Sequence, residues 1–294
     1  MKKPILITSL LFISLLSNAQ KDKVYTSLEE ALLKPSDVFI LSLNNKKLTE
    51  IPVDIVKFTN LTTLELAGNK ISSVPESITT LKNLTELNLS NNKFNNLPET
   101  VTQLSTLTEL DLSNNNCSFI PGTITNLVNL KVFYLNNNKI ASFPDFMAKL
   151  VNLTEIYFYG NIINTIPENI STLTNLTELG LGGNLLTSLP ESMGNLTHLK
   201  YLALSYNQLT TLPDCIAKLS SLTVLDLNGN KLTSIPESIG NLSQLAELYL
   251  ESNKLSSLPE SIVKLEDLNT INLKENAAIK LTPAIKKFIE DKKM

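Results

Sequence analysis

Apolar residues recur along this chain at a fixed spacing. In the stretch that starts at Leu84, leucine occupies positions 1, 4 and 6, asparagine position 9, and a Leu-Pro pair positions 14 and 15. A period of this size, held in register without insertions, predicts a solenoid in which each copy stacks on its neighbours. Ten full copies and a truncated eleventh begin at Val38, Leu61, Leu84, Leu107, Leu130, Leu153, Leu176, Leu199, Leu222, Leu245 and Leu268.

Each copy carries the signals of one strand and one short helical turn. Positions 4 and 6 are apolar and alternate with polar residues at positions 3, 5 and 7, which is the period of a half-buried strand. Proline at position 15, often followed by glutamate, favours the start of a helical turn. The pattern therefore predicts a parallel sheet on one side of the solenoid and short helical or 3₁₀ segments on the other, with the apolar side chains buried between them.

Asparagine at position 9 is the most regular polar feature of the repeat. It occurs in ten of eleven copies, from Asn69 to Asn276, and Lys46 replaces it in the first copy. A buried amide at this place can bond backbone groups that a tight bend leaves unpaired. The substitution by Lys46 predicts an exposed or irregular turn in the first copy.

The full spacing, L-x-x-L-x-L-x-x-N-x-L-x-x-L-P-x-x-I-x-x-L, resembles that of the leucine-rich-repeat family over residues 38–281. Its 23-residue form is similar to that of secreted bacterial members. The resemblance implies an α/β fold, a right-handed horseshoe-shaped solenoid with a parallel concave sheet and short helical or 3₁₀ convex segments. It also implies a ladder of asparagines at position 9 and partner binding on the concave face.

The N-terminus has the features of an export signal. Met1-Lys2-Lys3, a mostly apolar run over residues 5–16 and the junction Ser17-Asn18-Ala19 predict a signal peptide over residues 1–19, cleaved near Ala19. The apolar run is shorter than the roughly 20 residues that span a bilayer. We therefore expect a secreted, periplasmic or extracellular protein without stable membrane insertion after cleavage; an uncleaved anchor is the alternative.

Segments on either side of the repeats are expected to cover the ends of the solenoid, which would otherwise expose apolar side chains. Residues 20–37 are assigned as the N-terminal cap because Ser27 and Glu30 form a capping-box pattern. Residues 282–294 are assigned as a C-terminal cap helix and tail because Thr282-Pro283 is a helix-start pair. A frayed tail is the alternative for the C-terminus.

Composition argues against catalysis and against nucleic acid. His198 is the single histidine, no nucleophile is arranged beside it, and no phosphate-binding loop is present. Loss of Lys2 and Lys3 takes the net charge from −3 to −5, which disfavours nucleic acid. Cys117 and Cys215 lie four copies apart, roughly 19 Å, beyond disulfide reach. We expect no enzyme activity, no cofactor, no metal site and no disulfide.

The outward positions 2, 3, 5, 7 and 8 carry an excess of acids. Lys131, Lys200 and Lys274 are the bases at these positions, while lysines concentrate at position 10, on the rim. A solubilising surface, a surface for a basic partner and a Ca²⁺ site are the three interpretations. The acids at the outward positions are Glu65, Glu86, Glu109, Asp111, Glu155, Glu178, Asp226, Glu247, Glu251 and Glu275.

Tyrosine clusters on the same face. Copies five to eight carry five of the seven tyrosines at outward positions, and position 10 changes there from lysine to Ile162 and Leu185. Gly180, Gly182 and Gly183 in copy seven predict a shallow depression between the rings, which Gly182→Arg would fill. The alternative is that tyrosine merely suits strands. The candidate binding residues are Tyr134, Glu155, Tyr157, Tyr159, Ile162, Glu178, Gly182, Leu185, Tyr201 and Tyr206.

These features favour a non-enzymatic binding scaffold, secreted or periplasmic, that recognises a protein or peptide on its concave face. A basic partner would match the acidic surface. The alternative is a structural or adhesive component of the cell surface that has no discrete partner.

Overall fold

The alternation at positions 3 to 5 folds into one short strand per coil, and coils are numbered from coil 1 at Val38 to coil 11 at Leu268. A computed structural model describes residues 21–292, so the signal peptide predicted over residues 1–19 lies outside the described residues. Twelve strands form one parallel sheet in sequence order. They are β1 Val24–Tyr25, β2 Ile40–Ser42, β3 Thr63–Glu65, β4 Glu86–Asn88, β5 Glu109–Asp111, β6 Val132–Tyr134, β7 Glu155–Tyr157, β8 Glu178–Gly180, β9 Tyr201–Ala203, β10 Val224–Asp226, β11 Glu247–Tyr249 and β12 Thr270–Asn272.

Neighbouring strands pair with partners 23 residues away. Glu86 lies opposite Glu109 and Leu87 opposite Leu110, and the same register holds from β2 to β12. Equivalent positions therefore form columns across the sheet, with the inward leucines buried and the position 3 and 5 side chains on the concave face. This arrangement confirms the predicted fold class, a solenoid with a parallel concave sheet.

Each full coil returns to the sheet through a short 3₁₀ segment. In coil 9 the amide of Ile239 bonds the Pro236 carbonyl and the amide of Leu242 bonds the Ile239 carbonyl, both at 3.1 Å. Proline is the N-cap of this segment and not its first residue, which corrects the expected helix start. Nine of the ten full coils share this arrangement, and in coil 3 the N-cap is Thr100. The segments of the ten full coils are Val53–Lys57, Glu76–Thr80, Val101–Gln103, Gly122–Asn126, Asp145–Lys149, Glu168–Thr172, Glu191–Asn195, Asp214–Lys218, Glu237–Asn241 and Glu260–Lys264. A further 3₁₀ segment, Pro35–Asp37, precedes coil 1.

The position 9 asparagines form a continuous ladder under the bend that follows each strand. The amide of Asn138 donates to the carbonyls of Leu112 at 3.0 Å, Leu135 at 3.2 Å and Asn136 at 3.1 Å, and its oxygen accepts from the Cys117 amide at 2.9 Å. Equivalent bonds to the preceding coil repeat along the solenoid. Each asparagine thus stabilises its own bend and joins it to the coil before.

A second ladder runs along the opposite edge, at position 23, and the sequence pattern alone did not reveal it. Five asparagines there donate to a carbonyl 24 residues earlier, at 2.7 to 2.9 Å; they are Asn60, Asn83, Asn129, Asn152 and Asn175. His198 takes the same place, with its Nδ1 atom 2.9 Å from the Thr174 carbonyl oxygen. The single histidine therefore has a structural partner that accounts for it.

The two ends of the solenoid are closed by different devices. Strand β1 pairs in parallel with β2 and is followed by α1, Leu28–Ala31, whose N-cap Ser27 accepts from the amide of Glu30. The sheet therefore has one strand more than the eleven repeats predict. At the other end, α2, Pro283–Asp291, is capped by Thr282 and buries one apolar side chain completely. Within residues 21–292, no helix combines the length and apolar character needed to cross a membrane.

Candidate functional site

Four tyrosines on the concave face touch one another in sequence across coils 5 to 8. The rings of Tyr134 and Tyr157 stack with centroids 5.0 Å apart and planes within 6°, and Tyr159 continues the stack at 6.3 Å and 17°. The Tyr159 hydroxyl then donates to the Tyr201 hydroxyl at 3.3 Å. We call these four residues the tyrosine row. All four are half-buried, so the row offers a broad aromatic surface to solvent.

The register of the sheet builds this row. Tyr134 and Tyr157 both occupy position 5, on adjacent strands, so their rings must lie side by side. Tyr159 follows two residues later and leans towards coil 7, which has glycine where its ring arrives. The aromatic row thus depends on the tyrosines and on the glycines beside them.

The prediction of a depression at the coil 7 glycines is wrong, because the Tyr159 ring occupies that space. A Cβ atom added at Gly180 would lie 2.2 Å from Cε2 of Tyr159. One added at Gly182 would lie 3.1 Å from Cδ1 of the same ring and 2.9 Å from Oγ of Ser205. Gly182 is therefore the floor beneath Tyr159, and a larger residue there would displace the ring.

Two carboxylates meet the hydroxyl of Tyr157. Its oxygen lies 3.0 Å from Oε2 of Glu155 and also bonds Oε2 of Glu178, which lies opposite Glu155 on the next strand. Burial, followed by these two hydrogen bonds, raises the pKa of Tyr157 well above its ordinary value. Tyr157 therefore remains a neutral hydrogen-bond donor at physiological pH.

Tyr206, Ile162 and Leu185 form a separate part of the predicted site, which we call the apolar rim. Tyr206 is 70% exposed and its ring covers Gly229 of coil 9, where an added Cβ would lie 2.6 Å from Cδ1. Ile162 and Leu185 occupy position 10 of coils 6 and 7 and are 47% and 41% exposed. The structure thus joins Glu155 and Glu178 to the tyrosine row, and places the rim residues on the bend beyond it.

The backbone of Tyr206 is left-handed, with φ +54°. Position 8 has positive φ in every coil, and asparagine or glycine fills it in eight of them, but a bulky side chain in this conformation is strained. Tyr206→Asn is expected to raise the free energy of unfolding by about 1 kcal/mol. Urea denaturation checks this, with Tyr201→Asn as the control, since Tyr201 lies within a strand. A lower midpoint for Tyr206→Asn than for the parent would contradict the strain.

Acids elsewhere on the concave face have no basic partner. Within residues 21–292, the ion pairs are Lys23–Glu30 and Lys57–Asp54, and both lie off this face. A depression of about 70 Å³ lies on this face in coils 2 to 4, and it is lined by Thr63, Glu65, Glu86, Asn88, Glu109 and Asp111. No group of three or more metal-ligating side chains is found in the described part of the chain.

Crowding among these carboxylates changes the titration of Glu109. Burial first, and then the charges of Glu86, Asp111 and Glu155, raise the pKa of Glu109 above its ordinary value. The folded chain therefore holds this proton to a higher pH than the unfolded chain, whose value is about 4.3. Stability is lost as the pH rises from that value through the raised pKa.

Glu109→Gln is expected to stabilise the protein at pH 7 by roughly 0.2–1 kcal/mol, the range for a cross-strand charged pair. The advantage should shrink to nothing below about pH 4, where the parent carboxyl is protonated in both states. Thermal unfolding at several pH values measures it, with Glu260→Gln, an exposed residue of the convex side, as the control. An advantage that is equal at pH 4 and pH 7 would rule out this cause.

Solved structures with the same architecture include one bacterial and two plant proteins. A leucine-rich-repeat protein of Leptospira interrogans is 27% identical over 92% of this chain and 98% of that chain, with a TM-score of 0.51. The ectodomain of the Arabidopsis thaliana receptor kinase GASSHO1/SCHENGEN3, in complex with CASPARIAN STRIP INTEGRITY FACTOR 2, is 33% identical over 76% of this chain, with a TM-score of 0.69.

The plant peptide hormone receptor RGFR1, in complex with RGF2, is 25% identical over 82% of this chain, with a TM-score of 0.65. The chain spans 28% of the first plant protein and 45% of the second. A search of curated proteins finds no match. The model of the leucine-rich repeat matches residues 38–94, 83–140 and 128–186, and that of the leucine-rich repeat region matches residues 184–280. The chain therefore belongs to the leucine-rich-repeat family.

Proposed function

We propose that this protein is a secreted or periplasmic scaffold, without enzyme activity, that recognises a protein or peptide on its concave face. The tyrosine row carries the proposal. It is a contiguous, half-buried aromatic surface in which three rings stack and the fourth is joined by a hydrogen bond, on a face that is otherwise acidic. Aromatic side chains held in this way are typical of the centres of protein interfaces, because they bury large areas at little entropic cost.

The surroundings of the row support the same function. The apolar rim extends the contact surface where other coils present lysine, and the unpaired acids favour a partner with basic residues. Two similar plant receptors were solved in complexes, one with CASPARIAN STRIP INTEGRITY FACTOR 2 and the other with RGF2. The sequence signal over residues 1–19 supports export to a compartment where such a scaffold would meet extracellular or periplasmic partners.

A capture experiment tests the proposal. The chain from residue 20 to residue 294 is immobilised and exposed to culture medium and to envelope fractions of the host, and retained proteins are identified by mass spectrometry. Each candidate partner is then purified and titrated against the parent chain. Saturable binding that depends on the tyrosine row supports a scaffold, while the absence of any saturable partner favours the structural or adhesive alternative.

Gly180→Ala tests the tyrosine row in that titration with the addition of a single methyl group. Its new Cβ would lie 2.2 Å from the end of the Tyr159 ring, so the ring must swing away and break its bond to Tyr201. The φ angle of Gly180 is not positive, so alanine suits the backbone. We expect partner affinity to fall at least tenfold with little change in unfolding midpoint.

Gly122→Ala is the matched control, because nothing lies within 4 Å of an added Cβ at that position on the convex side. It should bind the partner as the parent does. Equal affinities of the Gly180→Ala and Gly122→Ala variants would remove the tyrosine row from the interface.

A further inference from the structure

The Tyr157 hydroxyl cannot satisfy both of its carboxylate neighbours. A phenolic hydroxyl has one hydrogen to donate, yet Oε2 of Glu155 and Oε2 of Glu178 both lie within hydrogen-bond distance of it. The two glutamates face each other on adjacent parallel strands, so their like charges are close as well. The hydroxyl can therefore serve only one of the two carboxylates at a time, and the other, which is partly exposed, is left to solvent or to a bound group.

No other side chain of the described chain supplies the missing donor. Within residues 21–292, no lysine, arginine or histidine forms an ion pair with Glu155 or Glu178. The rim lysines that occupy position 10 in other coils are replaced in coils 6 to 8 by Ile162, Leu185 and Gln208. Although Lys131 and Lys200 occupy outward position 2 in coils 5 and 8, the structure within residues 21–292 pairs neither of them with these two carboxylates.

We propose that the tyrosine row receives an arginine side chain of the partner, with its guanidinium held by Glu155 and Glu178 beside the Tyr157 ring. This inference rests on the proposed function and specifies the chemistry of the bound segment. A guanidinium carries five N–H donors in one plane, so it can serve both carboxylates and still stack against an aromatic face. An ammonium group offers the charge without the flat surface, and a citrulline side chain offers the shape without the charge.

The molecule contains its own comparison site. In coil 10, the Tyr249 hydroxyl donates to Oε2 of Glu247 at 2.6 Å, which raises the pKa of Tyr249 to about 12. The residues opposite Glu247 are Val224 and Thr270, and Asp226 lies opposite Tyr249 itself without bonding its hydroxyl, so this pair has one donor and one bonded carboxylate. No other tyrosine stacks on Tyr249 among the described residues. Both sites therefore have a tyrosine bonded to a glutamate, but of the two only Tyr157 has a second bonded carboxylate and a stacked tyrosine.

Small probes test the inference directly. Protein with ¹³C-labelled tyrosine is titrated with N-acetyl-arginine amide, N-acetyl-lysine amide or N-acetyl-citrulline amide, and ring resonances are followed by NMR after assignment with Tyr→Phe variants. We expect a saturable shift of the Tyr157 and Tyr134 resonances with the arginine probe, at least fivefold weaker binding of the lysine probe, and none of the citrulline probe. Tyr249 should shift little.

Variants separate a built site from general attraction to an acidic surface. Glu155→Gln with Glu178→Gln should weaken the arginine probe at least fivefold, while Glu247→Gln should change it less than twofold. Equal shifts of Tyr249 and Tyr157, or equal binding of citrulline and arginine, would overturn the inference. If an identified partner needs Tyr157 and Tyr159 but binds the double glutamine variant normally, the scaffold function stands and the arginine proposal fails. If neither pair of substitutions affects the partner, both fail.

Discussion

Replacing Asn138 by alanine is expected to lower the free energy of unfolding by roughly 3 kcal/mol, since unpaired buried polar groups cost about 1–3 kcal/mol each. The substitution removes three donated hydrogen bonds and one accepted bond, and Asn138 is only 8% exposed. Its partners at Leu112 and Cys117 belong to the preceding coil, so the loss weakens the interface between coils 4 and 5. Urea unfolding followed by circular dichroism measures the change.

Two further alanine variants serve as comparisons for Asn138→Ala, one outside the asparagine ladder and one at its end. Asn116→Ala alters an exposed asparagine of the same region and should leave the unfolding midpoint unchanged. Asn276→Ala removes an amide with equivalent bonds and similar burial, 5% exposed, in the last coil. Because stability in a repeat array is a sum of nearest-neighbour terms, a defect at the end frays one coil while a defect in the middle divides the array. Equal midpoints for the parent and both ladder variants would contradict the role of the ladder.

The solenoid could be predicted from the sequence because one period determines strand, bend and register together. Leu87 and Leu110 occupy the same position of adjacent copies, so stacking the copies makes them partners without further information. Strand β1 could not be predicted in this way, because Val24 and Tyr25 lie outside the repeat and pair only through the free edge of β2. The ladder at position 23 escaped prediction because asparagine fills only half of these positions, and residues such as Thr106 and His198 interrupt the pattern that makes position 9 conspicuous.

The sequence could predict which residues form the candidate site, but not how their side chains are arranged. Position 5 places Tyr134 beside Tyr157, but the direction of the Tyr159 side chain depends on its rotamer, so glycines at 180 and 182 were compatible with an open depression or a covered one. The strained backbone of Tyr206 could have been predicted from the sequence. Asparagine or glycine at position 8 in eight other coils indicates a left-handed residue, and a tyrosine among them marks a strained position.

Tyr157→Ala combined with Tyr159→Ala is expected to weaken partner binding by at least about 30-fold, equivalent to about 2 kcal/mol, the threshold for interface hot spots. The two substitutions remove the centre of the tyrosine row and leave Tyr134 and Tyr201 without their stacking and hydrogen-bond partners. Most of the loss should appear as faster dissociation, because truncating a buried anchor leaves the encounter of the two proteins unchanged. Surface plasmon resonance with the captured partner separates the two rate constants.

Tyr249→Ala is the control for that measurement, since Tyr249 occupies the same position 5 in coil 10 and bonds a glutamate in the same way, but lies outside the row. It should change affinity less than twofold. Both variants must keep the parental unfolding midpoint within a few degrees, because the substituted rings lie on the concave surface while the leucine core and the asparagine ladder beneath them are intact. A folded double variant that binds with the parental dissociation rate would place the interface on another surface of the solenoid, and the apolar rim at Tyr206 would be the next to test.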